Sequence, residues 1–217
     1  MLKKIPNYLK FIFTNIFSLF IFSVLFRIIF YVLFVKLEDI TTQEIQKALF
    51  LGIRFDLKLA IIAFFPLAIV VLITNYRFFE RLVYKKITTI YLSLAYVILA
   101  LFYIIDLGYY EYLTIRLDAS SLRFLSNFKI SAQVLVESYP VYKGVLALAF
   151  LSFISYKYGA FMYKAFSNSK EKATKKLKAV YFISTILLLS YGIYSSISYY
   201  PLRWSEAFFS KNNTVNQ

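Results

Sequence analysis

Five long apolar runs constrain what this chain of 217 residues can fold into. A helix needs about 20 apolar residues to cross the ~30 Å hydrocarbon core of a bilayer. Strict two-residue alternation, which is typical of barrel strands, is missing from all five runs, so we predict an all-α membrane protein with five transmembrane helices. The first run is too long for the core of a signal peptide and lacks a small-residue cleavage site, so we interpret it as a retained helix. The predicted helices cover about residues 11–35, 59–75, 87–106, 141–161 and 179–198.

The residue content excludes several kinds of site. Cys and His are both absent, which removes disulfides, thiolate nucleophiles and the commonest metal ligands and general bases. No phosphate-binding glycine loop, G-x-S-x-G turn or metal-ligand spacing occurs either. We therefore expect no catalytic residue, cofactor or metal within this chain.

The distribution of charge predicts the topology. The net charge is +14, and the basic residues fall between apolar runs, which favours a topological role over nucleic-acid binding. Residues 1–10, 75–86 and 162–178 together carry 13 basic and 2 acidic residues, whereas the opposite loops and the tail carry 10 and 9. Because basic loops stay in the cytoplasm, we predict a cytoplasmic N-terminus and an outer C-terminus.

The outer loops contain signals for short amphipathic helices. Thr41 and Glu44 match a capping box, which predicts a helix that starts there, lies along the outer interface and feeds into the second span. Pro66 should kink that second span. Asp118 is a suitable N-cap for a short helix over residues 121–125.

The first candidate site is the outer sequence GIRFDL, residues 52–57. Arg54 and Asp56 are two residues apart, so they do not face each other on a helix. One interpretation is an anchor for a lipid phosphate or sugar, with the Arg54 guanidinium as the donor. The alternative is a pair of snorkelling side chains at the interface.

The second candidate site is the sequence DLGYYEYLTIRLDASSLRFL, residues 106–125, which we expect to follow the third helix. Carboxylates so close to hydrocarbon are costly unless they are solvated or paired. The cluster is therefore interpreted either as a surface for a headgroup or a second domain, or as a solvated loop with aromatic anchors. Its candidate residues are Asp106, Tyr109, Tyr110, Glu111, Arg116 and Asp118.

Arg27 is a charge inside the first span. It lies eight residues before Val35, or ~12 Å along a helix. It can snorkel outward or pair with Asp56 or Asp106 within the bundle, and we favour a structural pair over a contact with substrate.

The chain closes with the sequence YYPLRWSEAFFSKNNTVNQ, residues 199–217. Its tyrosines and Trp204 suit the headgroup layer, and Pro201 is expected to break the last spanning helix. We expect Leu202, Phe208 and Phe209 to lie on the membrane, and Arg203, Glu206 and Lys211 to face water.

Four motifs in order resemble one known family. They are GIRFDL before the second helix, YYEYLTIRLDASSL after the third, SYP before the fourth and YPLRWSEAFFSKNN after the fifth. Together they resemble the N-terminal membrane domain of the lipoteichoic acid synthase family, and more closely its Bacteroidota-type relatives labelled sulfatase or phosphoglycerol transferase. The resemblance covers essentially the whole chain.

That resemblance implies five transmembrane helices in a bacterial cytoplasmic membrane, followed by a large extracytoplasmic domain of the alkaline phosphatase and sulfatase superfamily. Such a domain uses a Thr nucleophile and a divalent metal (Mn, Mg or Zn) to move phosphoglycerol or phosphoethanolamine from a phospholipid to a glycan or lipid acceptor. Those catalytic residues would lie beyond Gln217. The chain would then depart from the family as a fragment or a split gene, and a hydrolase parent stays open beside a transferase.

Our first hypothesis is that residues 1–198 anchor such an enzyme and that residues 199–217 lead toward its catalytic domain. The expected partners are the phospholipid bilayer, an anionic headgroup and that C-terminal domain, but not nucleic acid. We expect the outer segments to make these contacts, mainly through Arg54, Asp56, Arg116 and Arg203. The alternative is a complete small membrane protein that acts as a scaffold or assembly partner. A transporter is less favoured, because five helices form no inverted repeat.

Overall fold

The fold is a bundle of five long helices. The computed structural model describes residues 5–34, 40–117, 133, 136–137, 141–167, 175–196 and 199–210. All five long helices in these residues are long and apolar enough to span a membrane, which confirms a multi-pass, all-helical membrane protein. The helices are α1 (Asn7–Phe34), α2 (Thr42–Thr74), α3 (Leu82–Leu113), α4 (Val141–Phe166) and α5 (Lys175–Tyr194), with short 3-10 helices at Asn75–Glu80 and Trp204–Ala207.

The start of α2 confirms the predicted capping box. The Thr41 hydroxyl accepts a hydrogen bond from the Glu44 amide at 3.4 Å, and the Glu44 carboxylate accepts one from the Thr41 amide at 3.1 Å. From Thr42 the helix runs without a break to Thr74 and includes Pro66. The outer helix that we predicted before the second span is therefore the first part of α2 itself.

Several helix ends lie four residues or more from the predicted bounds, and two of these differences affect the candidate site. Helix α3 runs to Leu113, so Tyr109, Tyr110 and Glu111 are helical, whereas we expected them to follow the helix. The fall in hydropathy at Asp106 marks the edge of the apolar run, but backbone hydrogen bonds continue the helix for almost two more turns. The helix stops where Thr114 takes a left-handed conformation with φ 57°.

The end of α5 is the second difference. This helix ends at Tyr194, four residues before the predicted boundary, because Ser195 adopts a left-handed conformation with φ 49°. The Ser195 amide donates to the Tyr191 carbonyl at 2.8 Å and closes the last turn. Pro201 lies beyond this turn, so our prediction that it breaks the last spanning helix is wrong.

Aromatic packing holds the core near the start of α1. The Phe11 side chain is fully buried, and its ring lies within 6.1 Å of the rings of Phe64, Phe78, Phe79 and Phe166. These partners belong to α2, the 3-10 turn after it and α4. The cluster therefore fixes that turn against three helices.

Helices α3 and α4 pack closely through small and polar residues. A Cβ atom added to Gly159 would lie 3.0 Å from the Cα atom of Thr89, so the two backbones approach closely here. The Ser93 hydroxyl lies 3.2 Å from that of Ser152 and donates to the Ser152 carbonyl at 3.1 Å. Helices in lipid commonly associate in this manner, with small residues that allow close approach and polar side chains that form hydrogen bonds between the helices.

Candidate functional site

The first ion pair of the bundle joins α1 to α2. The Arg27 guanidinium donates two hydrogen bonds to the Asp56 carboxylate, from Nε at 2.7 Å and from Nη2 at 2.8 Å. The exposed fractions of the two side chains are only 12% and 3%. Of the alternatives that the sequence left open for Arg27, the structure shows a buried pair with Asp56.

Gly52 makes room for this pair. It precedes Asp56 by four residues, so the two lie on one face of α2. A Cβ atom at Gly52 would lie 2.6 Å from Cζ of Arg27, well inside van der Waals contact. The guanidinium therefore lies directly on the α2 backbone, and the glycine of GIRFDL is explained by this approach.

The second ion pair closes the end of α3. The Asp106 carboxylate accepts a hydrogen bond from the Leu117 amide at 2.8 Å and pairs with Arg116 Nη2 at 2.7 Å. The left-handed turn at Thr114 brings the chain back so that Arg116 reaches the carboxylate. The guanidinium carbon of Arg116 also lies 4.2 Å from the centroid of the Phe30 ring on α1, a cation–π distance.

The Asp106–Arg116 pair and the guanidinium of Arg27 border one narrow cleft. Its volume is about 10 Å³, roughly the space that one water needs, so it does not admit a lipid headgroup. Each of the two guanidinium groups is paired with one carboxylate, Arg27 with Asp56 and Arg116 with Asp106, which offsets the cost of burying these charges. The cleft is lined by Phe26, Arg27, Phe30, Tyr103, Asp106, Leu107 and Arg116.

Arg54 caps the end of α5. Its Nε and Nη2 groups both donate to the Ser195 carbonyl, the former at 2.9 Å. The Ser195 hydroxyl returns a hydrogen bond to the Arg54 carbonyl at 3.3 Å. A cation at a helix C-terminus satisfies unpaired carbonyls and opposes the negative end of the helix dipole.

Lys58 holds the chain after α5. Its ammonium group donates to the Leu202 carbonyl at 3.0 Å, while the Leu202 amide donates to the Tyr194 carbonyl at 3.0 Å. The Leu202 side chain is buried within the protein, so our prediction that it lies on the membrane is wrong. Arg54 and Lys58 are one turn apart on α2, and we name these two residues with Ser195 and Leu202 the tail clasp.

Beyond the clasp, the tail follows α2 toward its start. The Ser210 hydroxyl donates to the Glu44 carboxylate at 2.5 Å, and the Lys47 ammonium lies 4.7 Å from the centroid of the Phe209 ring. Ala207, between them and the clasp, is fully buried. Residues 202–210 therefore run antiparallel to the first half of α2.

The remaining predicted site residues are dispersed. Tyr110 is buried against Phe30 and Phe34, with ring centroids 4.8 and 4.9 Å apart, whereas Glu111 is exposed. Tyr109 is half-buried in the same turn. Asp118 and its predicted helix lie outside the described residues, as do Lys211 and the side chain of Trp204.

Arg203 is the predicted basic residue that stays on the surface. Its side chain is exposed, and its guanidinium carbon lies 4.4 Å from the centroid of the Tyr200 ring. Its backbone amide donates to the Glu206 carboxylate at 3.2 Å. Tyr199 and Tyr200 are exposed beside it, so this part of the tail presents a cation with two aromatic rings.

Sequence reasoning missed Gly52, Lys58 and Ser195. The signal for Gly52 was its four-residue spacing from Asp56, but nothing local indicates that Ser195 accepts from Arg54. Among the described residues, no group of three acidic side chains is arranged to hold a metal ion. We found no matching family model, curated protein or solved structure for this chain. The resemblance to lipoteichoic acid synthases therefore rests on the four sequence motifs.

Proposed function

We propose that this chain is the membrane domain of an extracytoplasmic phosphotransferase of the lipoteichoic acid synthase type. It anchors the enzyme and holds the segment that leads into the catalytic domain. The observation that carries the proposal is the tail clasp, because a chain held at Ser195 and Leu202 leaves the bundle at a defined place. A flexible linker would need no such hydrogen bonds.

The outer basic residues then have different roles. Arg54 and Arg116 already bind groups of the protein, so their contribution is to hold the tail and the end of α3 in place. Contact with the donor phospholipid falls to Arg203 with Tyr199 and Tyr200, which are exposed at the surface. Arginine binds phosphate through its planar fork, and tyrosines favour the headgroup layer.

The test begins with the gene. An open frame or neighbouring gene that encodes an extracytoplasmic domain with a Thr nucleophile and acidic metal ligands supports the proposal, whereas the lack of such a domain contradicts it. In membranes that contain both parts, Arg203→Ala should lower headgroup transfer several-fold without lowering membrane abundance. Lys143→Ala is the matched control, because Lys143 is also exposed and lies over a tyrosine ring, that of Tyr142. Equal transfer by both variants would contradict the role of Arg203.

A further inference from the structure

A second cavity lies at the other end of α2. Its volume is about 420 Å³, within the ~300–1,000 Å³ typical of ligand pockets. It is formed where the end of α2, the 3-10 turn and the starts of α3 and α5 meet. The lining residues are Ile73, Thr74, Asn75, Arg77, Arg81, Tyr84 and Lys178.

The charge of this cavity is strongly positive. Arg77, Arg81 and Lys178 contribute three cations, and no carboxylate is among the lining residues. Glu80 belongs to the same turn but does not line the cavity. Within the described residues, neither Arg77 nor Arg81 forms an ion pair with a carboxylate. The C-terminal dipole of α2 adds only about half a negative charge, which the two full positive charges of Arg77 and Arg81 outweigh.

The turn that carries the two arginines is held rigidly. The Tyr163 hydroxyl on α4 donates to the carbonyls of Phe78 and Arg81, at 2.8 and 2.9 Å. Both Phe78 and Phe79 are buried in the aromatic cluster around Phe11. The backbone between the arginines is thereby fixed, so less conformational entropy is lost when a ligand binds.

The surroundings of the cavity favour a lipid over a soluble anion. Ile73 lines it and is 66% exposed, and Leu82 at the start of α3 is 77% exposed. Exposed apolar residues next to three cations suit a molecule with a phosphate and an acyl chain. The loops at this end also carry the excess of basic residues, which predicts that this end lies in the cytoplasmic leaflet. That leaflet is rich in anionic lipid.

We propose that this cavity binds the phosphate group of an anionic phospholipid, with Arg77 and Arg81 as the principal donors and Lys178 as the third cation. The site lies at the opposite end of the bundle from the tail clasp, so it is separate from the proposed transfer reaction. It would hold a lipid of the leaflet in which the basic loops lie.

The test uses the full chain in nanodiscs and measures the retention of added lipid by native mass spectrometry. We expect phosphatidylglycerol to be retained in preference to phosphatidylcholine. The variant Arg77→Gln with Arg81→Gln should bind phosphatidylglycerol at least tenfold more weakly, because it loses charge-assisted hydrogen bonds. The matched control is Lys85→Gln with Lys86→Gln, which removes the same charge from exposed positions outside the cavity.

Three results would overturn the proposal. Equal losses in the two double variants would indicate a diffuse surface effect. Equal retention of phosphatidylcholine would remove the need for an anion. Inorganic phosphate that binds as tightly, with the same dependence on the arginines, would make a free anion the ligand.

A second variant covers the case in which the glutamine variant fails to fold. The variant Arg77→Lys with Arg81→Lys keeps the charge but loses the planar guanidinium fork, and unweakened binding by it would contradict the arginine donors.

Discussion

Replacing Gly52 by Ala should destabilise this protein, although the same change usually stabilises a helix. Glycine costs about 1 kcal/mol relative to alanine in a helix interior. Here the added methyl would lie 2.6 Å from Cζ of Arg27, and ordinary contact begins at 3.4 Å. The guanidinium must therefore move by about 0.8 Å, away from the α2 backbone.

The magnitude follows from the hydrogen bonds that this movement breaks. Since Asp56 lies on the same face of α2, a shift of about 0.8 Å lengthens contacts of 2.7 and 2.8 Å to about 3.5 Å, beyond hydrogen-bond range. The flexible arginine can keep one of the two bonds, and losing the other costs roughly 1.5–3 kcal/mol. After the ~1 kcal/mol gained from alanine, the net loss is about 0.5–2 kcal/mol.

The assay is the free energy of unfolding, measured by steric trapping in bicelles. Gly144→Ala is the matched control, because nothing lies within 4 Å of a Cβ atom added there, and it should be neutral or stabilising. In a background that carries Arg27→Ala and Asp56→Ala, Gly52→Ala should stabilise by up to ~1 kcal/mol. This reversal of sign is the diagnostic result. If Gly52→Ala stabilises the otherwise unchanged protein, the proposed reason for the glycine is wrong.

Two further variants test the tail and the α3–α4 contact. Arg54→Ala should speed proteolytic cleavage within residues 196–210 about tenfold, because the clasp loses two hydrogen bonds. The control Lys143→Ala should leave the cleavage rate unchanged. Equal cleavage rates for the two variants would argue against the clasp. Gly159→Leu should lower the unfolding temperature by several degrees, because its Cβ alone would meet backbone at 3.0 Å, and an unaltered transition measured by thermal-shift assay would contradict the close approach.

The parts of the fold that the sequence predicts are those set by local physics. Five helices follow from five apolar runs, and the capping box follows from two side chains three residues apart. Helix ends are harder, because hydropathy reports contact with lipid whereas a helix continues as long as its backbone bonds do. That is why α3 passes Asp106 and why Ser195, without any Gly or Pro, ends α5.

The candidate site was predictable in its residues but not in its pairing. Asp56 and Asp106 both lie near the same end of the bundle, so spacing along the chain does not decide which of them meets Arg27. The choice depends on how α1 and α2 are rotated, which in turn depends on the missing side chain at Gly52. The sequence suggested that Arg54 donates to a lipid phosphate. Its partner in the structure is the Ser195 carbonyl, which lies 141 residues away in the chain and so leaves no local signal. The lipid contact of Arg54 stays a prediction from the sequence, and the role that we propose for it instead is to hold the tail.

The length of α2 has a consequence for where the tail lies. Its 33 residues span about 50 Å, some 20 Å more than the hydrocarbon core. The stretch from Lys58 back to Glu44 measures about 21 Å, and this is the stretch along which the tail is bound. A module joined after Ser210 would therefore begin about 21 Å, measured along α2, from the level of Lys58. Each residue inserted into this stretch of α2 would lengthen it by about 1.5 Å and rotate the residues beyond the insertion by about 100° around the helix axis.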